Sequence, residues 1–305
     1  MANQDRIDQL NQALEAMFAE RLRDLPDEHF KLRLKEKLMQ TAANQTGYIR
    51  EGFHSIMPYL ISAGAARLIE FMKQAFDAEE AFRMPAPEGS IMHAEVRIDD
   101  SPIELSDGNA QYPPSPTCLH IYVPDADAVY SRALAAGATS LFEPADRPYG
   151  DREAGIKDPS GNHWYIATHK KRAGSHRPEG LRAVTLYLHP KGTSELIQFL
   201  ETAFDAERVF SHPNADGTIA HASVRIGDSF IEMGEAHSEW QPMPASIHLY
   251  VPDADAVYAR ALQAGAQVIN PVIDQPYGER SGGVLDAWGN RWWIATYTGK
   301  VEGKA

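Results

Sequence analysis

The sequence predicts an α+β fold made of two tandem repeats. Each repeat consists of two strand–helix–three-strand (βαβββ) units. The phrase HIYVPDADAVYSRALAAGA at residues 120–138 returns as HLYVPDADAVYARALQAGA at 248–266, an offset of 248 − 120 = 128. The same offset relates RPYGDR, which begins at Arg147, to QPYGER, which begins at Gln275. A strand–helix–three-strand hydrophobic pattern occurs twice within each copy, so the chain carries four such units.

The repeat is long enough for each copy to be a domain rather than a solenoid unit. The connecting segment KKRAGSHRPEG is basic and contains glycine and proline, which is typical of a linker. The predicted organisation is an N-terminal helical arm at 1–50, a first domain at 53–169, a linker at 170–180 and a second domain at 181–298.

The first unit of copy one illustrates the pattern. A short strand, MPYLI, precedes the helix AARLIEFMKQAF, whose apolar residues recur every three or four positions. Strands follow near EEAFRM, IMHAEVRI and PIELSD. The second unit begins with the strand CLHIYVP and a helix that opens at an acidic cap and stops at Gly137. Three more strands follow near TSLFEP, GIKD and HWYIAT.

Alternation along the strands separates two faces of the predicted sheet. In IMHAEVRI, the even-numbered residues from Met92 to Ile98 are apolar, whereas His93, Glu95 and Arg97 share the other face. Helices must cover the apolar face, because a sheet buries one side against another layer. The polar and aromatic face is then a candidate small-molecule cup.

Composition limits the classes of partner. Of the 305 residues, 43% are hydrophobic and 23% are charged, which is ordinary for a globular protein with a core. The net charge of −13 disfavours nucleic acid and anionic membrane surfaces. Cys118 is the single cysteine, so an intrachain disulfide or a thiolate zinc cluster is excluded. The polar start MANQDRIDQL is unlike a secretory signal, so we expect a cytoplasmic protein.

The N-terminal arm has apolar residues at helical spacing in two stretches. The first contains Ile7, Leu10, Leu14, Met17 and Phe18. After the break at Asp24–Pro26, the second contains Phe30, Leu34 and Leu38. Two short helices cannot bury an apolar stripe alone. Packing on the repeats, packing on another subunit, and docking to a separate partner all remain open.

Taken in order, the segments PYLI, IEFMKQAFDAEE, IMHAEVRI, IELSD, HIYVPDADAVYSRALAAGA and PYGDREAGIKDPSGNHWYIAT resemble the vicinal oxygen chelate superfamily. This superfamily contains glyoxalase I, bleomycin-resistance proteins and extradiol dioxygenases. Within it, the chain is most similar to the PhnB-like branch. The resemblance implies that the two βαβββ units of each repeat form an open eight-stranded U-shaped sheet around a cavity. It also implies a fused pseudo-dimer within one chain, and it leaves any higher oligomer open.

The resemblance further implies a divalent ion held by side chains from the first and last strands of the units. The first-strand positions fall near Met57, Cys118, Thr185 and Ser246. The last-strand positions fall at Glu104, Tyr165, Glu232 and Trp293. Only Glu104 and Glu232 have the family's ligand chemistry, so the usual quartet is broken in both copies.

The two glutamates are therefore the candidate catalytic residues, and inward histidines are the candidate further ligands. One set combines Glu104 with His93 and His120, and its repeat combines Glu232 with His221 and His248. Imidazole with carboxylate suits zinc, iron, nickel or manganese. A metal-free hydrogen-bonded cluster is the alternative, as is an ion pair of Glu104 with Arg97, or of Glu232 with Arg225.

The remaining candidate ligand-binding residues are aromatic, are basic, or differ between the two copies. His189 stands where copy one has Ile61, so the two cups are not chemically identical. Tyr165 and Trp293 are expected in the cups, and Trp164 and Trp292 in the core. The arginines of PYGDR and PYGER are candidates for an anionic group. Cys118 is expected to be buried and inert. The set comprises His93, His120, Tyr122, Arg152, Tyr165, His189, His221, His248, Tyr250, Arg280 and Trp293.

The sequence thus predicts a small-molecule-binding protein of the glyoxalase/bleomycin resistance/dioxygenase type. Its chemistry would be that of a metal-dependent lyase or dioxygenase acting on vicinal oxygens. A metal-free sequestering protein is the first alternative. An interaction protein that works through its N-terminal helices is the second.

Overall fold

The computed structural model describes residues 47–170, 175–238 and 240–301. Most of the predicted arm at 1–50, together with linker residues 171–174, lies outside the described residues. Within the described ranges, no helix is long and apolar enough to cross a membrane.

The described chain folds as four βαβββ units in sequence. Unit 1 contains β1 (Ile56–Ser62), α1 (Ala65–Phe76), β2 (Glu79–Pro85), β3 (Ile91–Ile98) and β4 (Ser101–Asp107). Unit 2 contains β5 (Cys118–Tyr122), α2 (Ala126–Ala135), β6 (Thr139–Asp146), β7 (Asp151–Lys157) and β8 (His163–His169). Unit 3 contains β9 (Val184–Leu188), α3 (Thr193–Phe204), β10 (Glu207–Pro213), β11 (Ile219–Ile226) and β12 (Ser229–Met233). Unit 4 contains β13 (Ser246–Tyr250), α4 (Ala254–Gln263), β14 (Gln267–Gln275), β15 (Tyr277–Leu285) and β16 (Arg291–Val301).

Local sequence signals set the ends of the duplicated helices. The side chain of Asp125 accepts a hydrogen bond from the backbone N–H of Ala128 at the start of α2, at 3.0 Å. Asp253 does the same for α4. An aspartate N-cap satisfies a backbone N–H that the first helical turn leaves free. Each helix then ends before a glycine with φ of 102°, Gly137 or Gly265, where the left-handed conformation stops the helix.

The four units assemble into two eight-stranded sheets. The first has the order β14-β15-β16-β13-β1-β4-β3-β2, and the second has the order β10-β11-β12-β9-β5-β8-β7-β6. We call the polar face of the first sheet cup A and that of the second sheet cup B. The predicted α+β class, with four βαβββ units and two open eight-stranded sheets, is confirmed.

The partner of each unit differs from the expectation that a copy closes on itself. Sheet A joins unit 1 to unit 4, and sheet B joins unit 2 to unit 3. The junctions are the antiparallel pairs β1–β13 and β5–β9, each containing three residue pairs. Alternation along a strand determines which face a residue occupies but not which strand lies beside it. The hydrophobic pattern would therefore be the same whether a unit pairs with the other unit of its own copy or with a unit of the other copy.

The units of one copy remain joined through their helices. Arg132 on α2 donates to the carbonyl oxygen of Ala75 at the end of α1, at 2.9 Å, and to the carboxylate of Asp77. Arg260 repeats both contacts with α3 through Ala203 and Asp205. Each copy thus keeps its helix pair and exchanges its strand partners.

A single large apolar cluster lies between the helices and the apolar faces of the sheets. Trp164 and Trp292 are fully buried in it, as predicted. Each indole N–H donates to a buried aspartate at 2.9 Å, Trp164 to Asp158 and Trp292 to Asp286. The tryptophans therefore anchor the last strand of units 2 and 4 in the core and leave the adjacent residues, Tyr165 and Trp293, to the cups.

Producing the two copies as separate chains tests the exchanged pairing. Residues 1–172 and 173–305 each lack the strand partner of both their units, so we expect no folded monomer of either half. Mixing the halves should restore a 1:1 complex with two complete sheets, measurable by size-exclusion chromatography with light scattering. Two halves that each fold as a stable monomer would contradict the pairing of β1 with β13.

Candidate functional site

The two candidate glutamates lie at the centre of the cups. Glu104 on β4 is in register with Tyr59 on β1, and Glu232 on β12 is in register with Tyr187 on β9. Both glutamates are buried, at 3% and 5% exposure. A buried carboxylate is costly unless it is paired.

Each glutamate is paired with a histidine from the other copy. His248 Nδ1 lies 2.6 Å from Glu104 Oε2, and His120 Nδ1 lies 2.7 Å from Glu232 Oε2. The predicted sets joined Glu104 to His120 and Glu232 to His248, and that assignment is wrong because the strand partners are exchanged. The alternative ion-pair partners are wrong as well, since Arg97 donates to the carbonyl of Gly52 and Arg225 pairs with Glu207.

The pairing favours the protonated, cationic form of both histidines. Burial alone would lower the pKa of His248, but Glu104 and Glu279 outweigh burial and raise it to about 9. For His120, burial likewise opposes the charge, and Glu232 raises the pKa above its ordinary value. Glu232, although buried, has its pKa lowered by His120. Among the described residues, Nε2 of each of these two rings has no hydrogen-bond partner.

A second histidine approaches each pair from the neighbouring strand. His93 Nε2 on β3 lies 4.0 Å from Glu104 Oε1, and His221 Nε2 on β11 lies 3.6 Å from Glu232 Oε1. The structure therefore brings together His93, Glu104 and His248 in cup A. In cup B it brings together His221, Glu232 and His120.

Cup A contains a third donor that cup B lacks. Glu95 Oε1 lies 3.3 Å from His93 Nε2, and Arg50 Nη2 holds the other oxygen of Glu95 at 2.5 Å. Burial would raise the pKa of Glu95, but His93 and Arg50 lower it below the ordinary value. One donor atom from each of His93, Glu95 and Glu104 lies within 4.8 Å of the others. The equivalent of Glu95 in cup B is Ser223.

Glu95 was missing from the predicted site, although two signals indicated it. Alternation places it on the same face as His93, and it is one of the charged positions at which the two copies differ. Nothing in the sequence pattern indicated Arg50, because it lies before the first repeat and comes close to Glu95 only when the chain is folded.

Strand register also corrects the predicted first-strand positions. The first-strand residues in register with Glu104, Tyr165, Glu232 and Trp293 are, in that order, Tyr59, His120, Tyr187 and His248. The predicted first-strand positions were Met57, Cys118, Thr185 and Ser246. The offset is two residues, so both sets point to the same face. Met57 and Cys118 are fully buried. Burial raises the pKa of the Cys118 thiol well above its usual range and keeps it protonated.

The predicted anion-binding arginines face the helices instead of the cups. Arg152 pairs with Asp127 on α2 at 2.6 Å, and Arg280 pairs with Asp255 on α4 at 2.7 Å. The acidic residue before each arginine occupies the cup. Tyr122 donates to Asp151 at 3.1 Å, and Tyr250 donates to Glu279. PYGDR and PYGER thus contribute their carboxylates, because successive residues of a strand point to opposite faces.

The aromatic residues distinguish cup B from cup A. The Tyr165 hydroxyl lies 2.7 Å from His189 Nε2, and the His189 ring stacks on Trp240 with 5.9 Å between centroids. Burial lowers the pKa of His189 to about 4, so this imidazole is neutral. Cup A has Ile61 in place of His189, and there Trp293 contacts Tyr112 edge-on at 5.4 Å.

The chain thus has two open sheets, four βαβββ units and a paired polar cup in each sheet. Comparison with known proteins then decides its family. The family model described as the Glyoxalase/Bleomycin resistance protein/Dioxygenase superfamily matches residues 52–166 and 191–294. The chain belongs to this superfamily.

Relatives and solved structures agree with this membership. An uncharacterized protein of Mycobacterium bovis is 38% identical over 123 residues, which cover 37% of this chain and 81% of the relative. An uncharacterized protein of Mycobacterium tuberculosis is also 38% identical over 123 residues, covering 37% of this chain and 72% of the relative. The crystal structure of glyoxalase I from Zea mays has a TM-score of 0.60 at 12% identity and covers 79% of this chain and 92% of that chain. At this identity, the likeness concerns the fold alone.

Replacing Glu232 by Gln tests the buried pair of cup B. Burial lowers the pKa of His120, and in the native protein the Glu232 carboxylate more than offsets this effect. Without the carboxylate, we expect the pKa of His120 to fall below its ordinary value of about 6.5. NMR titration of the imidazole signals measures this change. Losing one partner of a buried pair should lower the free energy of unfolding by about 3–5 kcal/mol.

The pH dependence of stability has a defined sign. Because folding raises the pKa of His120, its contribution is complete below about pH 6.5 and is lost as the pH rises through the folded-state pKa. Glu232→Gln should remove the His120 part of this decline in denaturant unfolding and leave the part that comes from His248. As the matched control, Glu104→Gln should shift His248 and leave His120 unchanged. An unchanged His120 titration in Glu232→Gln would contradict the pairing.

Proposed function

We propose that this protein binds a small molecule in cup A through a divalent first-row cation held by His93, Glu95 and Glu104. The observation that carries the proposal is the convergence of three donor atoms within 4.8 Å. An imidazole with two carboxylates is a ligand set that zinc, iron, nickel and manganese accept. His93, Glu95 and Glu104 would hold such a cation, and it would supply the Lewis-acid polarisation of two neighbouring ligand oxygens that lyase or dioxygenase chemistry uses.

The charge of cup A favours a cation. Within the described part of the chain, the carboxylates of Glu95, Glu104 and Glu279 line it. Arg50 and the His248 imidazolium supply two positive charges against them, which leaves an excess of one negative charge. A divalent cation at the three donors would offset that excess, and the burial of Glu104 and Glu95 weakens the screening of their charges by water.

The other residues of cup A have roles that follow from their contacts. Arg50 fixes Glu95, and His248 fixes Glu104 through Oε2, so that Oε1 is the oxygen that faces His93. Second contacts of this kind orient ligand side chains and tune their basicity. The Tyr59 hydroxyl, 3.4 Å from His93 Nδ1, orients that ring in the same way.

Cup B supports a different proposal, the sequestering of a planar apolar ligand without metal. Ser223 replaces the third donor there, and Tyr165, His189 and Trp240 form an aromatic wall. Aromatic rings offer large apolar contact area with few lost rotamers.

We further infer that the chain belongs to the PhnB-like branch and is cytoplasmic, on the sequence pattern and composition given above.

Metal content tests cup A. The native chain, expressed with iron, zinc, nickel and manganese supplied, should contain about one cation by elemental analysis. Replacing Glu95 by Ser, the residue of cup B, or Glu104 by Gln should reduce the content about tenfold or more. Glu232→Gln is the matched control and should retain the cation. A native chain with less than about a tenth of a cation, or an equal loss in Glu232→Gln, would sink the proposal.

A ligand screen tests cup B separately. Planar aromatic compounds should quench tryptophan fluorescence of the metal-free protein, and Trp240→Ala should weaken the binding about tenfold, corresponding to about 1.4 kcal/mol of lost contact. Tyr112→Ala changes the equivalent position of cup A and should leave the affinity unchanged. Equal weakening by both variants would contradict the assignment to cup B.

A further inference from the structure

The guanidinium of Arg50 lies beside the three donors of cup A. Its Nη2 contacts Glu95 Oε2 at 2.5 Å, while Oε1 of the same carboxylate faces His93 Nε2 at 3.3 Å. The width of one carboxylate therefore separates the guanidinium from His93. Arg50 also interacts electrostatically with Glu104. An anionic ligand held at these donors would come within reach of the Arg50 charge.

Arg50 retains the capacity to donate to a ligand. Its Cζ lies 3.7 Å from the centre of the Phe53 ring, so the guanidinium rests on an aromatic face that supports it. Arginine carries five N–H donors in a planar fork, and the contact with Glu95 is made by one nitrogen. Within the described ranges, no other residue accepts a hydrogen bond from Arg50. Because 33% of the side chain is exposed, the remaining donors are accessible.

Charge in cup A favours an anion once the cation of the proposed function is bound. Without a cation the cup carries an excess of one negative charge, and a divalent cation turns this into an excess of one positive charge. A ligand with a single carboxylate balances that charge, and the fork of arginine matches the geometry of a carboxylate. Cup B has Pro178 at the position of Arg50, so this feature does not follow from the duplication.

An apolar wall stands next to the same donors. Phe82 on β2 is in register with Glu95, and Met84 is in register with His93. Residues opposite one another in an antiparallel pair share a face, so both side chains lie on the cup side. The Phe82 ring lies 6.2 Å from the ring of His93, between centroids, and is 47% exposed. Exposed apolar surface beside a polar site is suited to the apolar part of a ligand.

Building on the cation site of the proposed function, we propose that the ligand of cup A is a 2-hydroxy or 2-oxo carboxylate with an apolar substituent. One carboxylate oxygen and the neighbouring hydroxyl or oxo oxygen form the vicinal pair. The second carboxylate oxygen accepts hydrogen bonds from Arg50, and the substituent lies against Phe82 and Met84. Arg50 is then the residue that selects an acid over an alcohol of the same shape.

Two probes of matched shape test the role of Arg50. 3-Phenyllactate and 3-phenylpropane-1,2-diol carry the same substituent and the same vicinal oxygens, and differ in the carboxylate. By titration calorimetry on the zinc-loaded full-length chain, we expect the acid to bind about tenfold more tightly than the diol. Arg50→Gln should remove this preference. Arg147→Gln is the matched control in cup B, where Arg147 lies over Phe142, and should retain it.

Arg50→Lys keeps the proposal falsifiable if Arg50→Gln loses zinc through its effect on Glu95. Lysine retains the positive charge but lacks the fork of arginine, so the preference should fall to about threefold. Phe82→Ala should weaken binding of both probes by about tenfold, whereas the equivalent change in cup B, Phe210→Ala, should leave both affinities unchanged.

The zinc content of each sample distinguishes the failure of this inference from the failure of the cation site. A zinc-loaded chain that binds acid and diol equally overturns the inference and leaves the cation site standing. The same holds for a preference that survives undiminished in both Arg50→Gln and Arg50→Lys. A native chain that retains no zinc contradicts the cation site, and the inference fails with it.

Discussion

The antiparallel pairing of β1 with β13, and of β5 with β9, is the contact on which both cups depend. In the first junction, Met57 lies opposite His248, and in the second His120 lies opposite Thr185. These short junctions carry a histidine of one copy to the glutamate of the other. Without them, Glu104 and Glu232 would be buried carboxylates without a cation, a state that costs several kcal/mol.

Once the pairs are formed, small differences around them give the cups different chemistry. A serine in place of Glu95 removes one donor from cup B, and Arg50 has no counterpart because Pro178 stands at its position. In cup B the Asp151 carboxylate also accepts from His169 Nδ1 at 2.5 Å, whereas cup A has Tyr297 there. The carboxylates are thus placed differently in the two cups, at the β3–β4 wall of cup A through Glu95 and on β7 of cup B through Asp151 and Glu153, while the aromatic wall belongs to cup B.

Features that repeat or alternate along the chain were predictable from the sequence. The duplication, the βαβββ order and the caps at Asp125 and Asp253 follow from local patterns. So does the burial of Trp164 and Trp292. Alternation also placed His93, Glu104 and Tyr165 on the polar face of the sheet.

Features that depend on which strands become neighbours were not predictable. Alternation gives a face but not a partner, so Glu104 was assigned the histidine of its own copy. The same limit put the first-strand positions two residues early, because the register of β1 against β4 is set by packing. Arg152 and Arg280 were misassigned for a simpler reason. The strands β7 and β15 include both arginines, whereas the sequence pattern placed a strand of copy one only near GIKD, and alternation then gives the inward position to the acidic neighbour.

The exchange of strand partners has a consequence for how such a chain can change. A duplicated domain ordinarily frees one copy to drift while the other keeps the ancestral role. Here neither copy forms a complete cup, because each cup contains one βαβββ unit from the first copy and one from the second. A substitution that improves one pocket must be tolerated by a half-site inherited from the other copy, and deletion of either copy removes both pockets together. The two halves of this chain are therefore bound to diverge as complementary partners, much as the subunits of a heterodimer do.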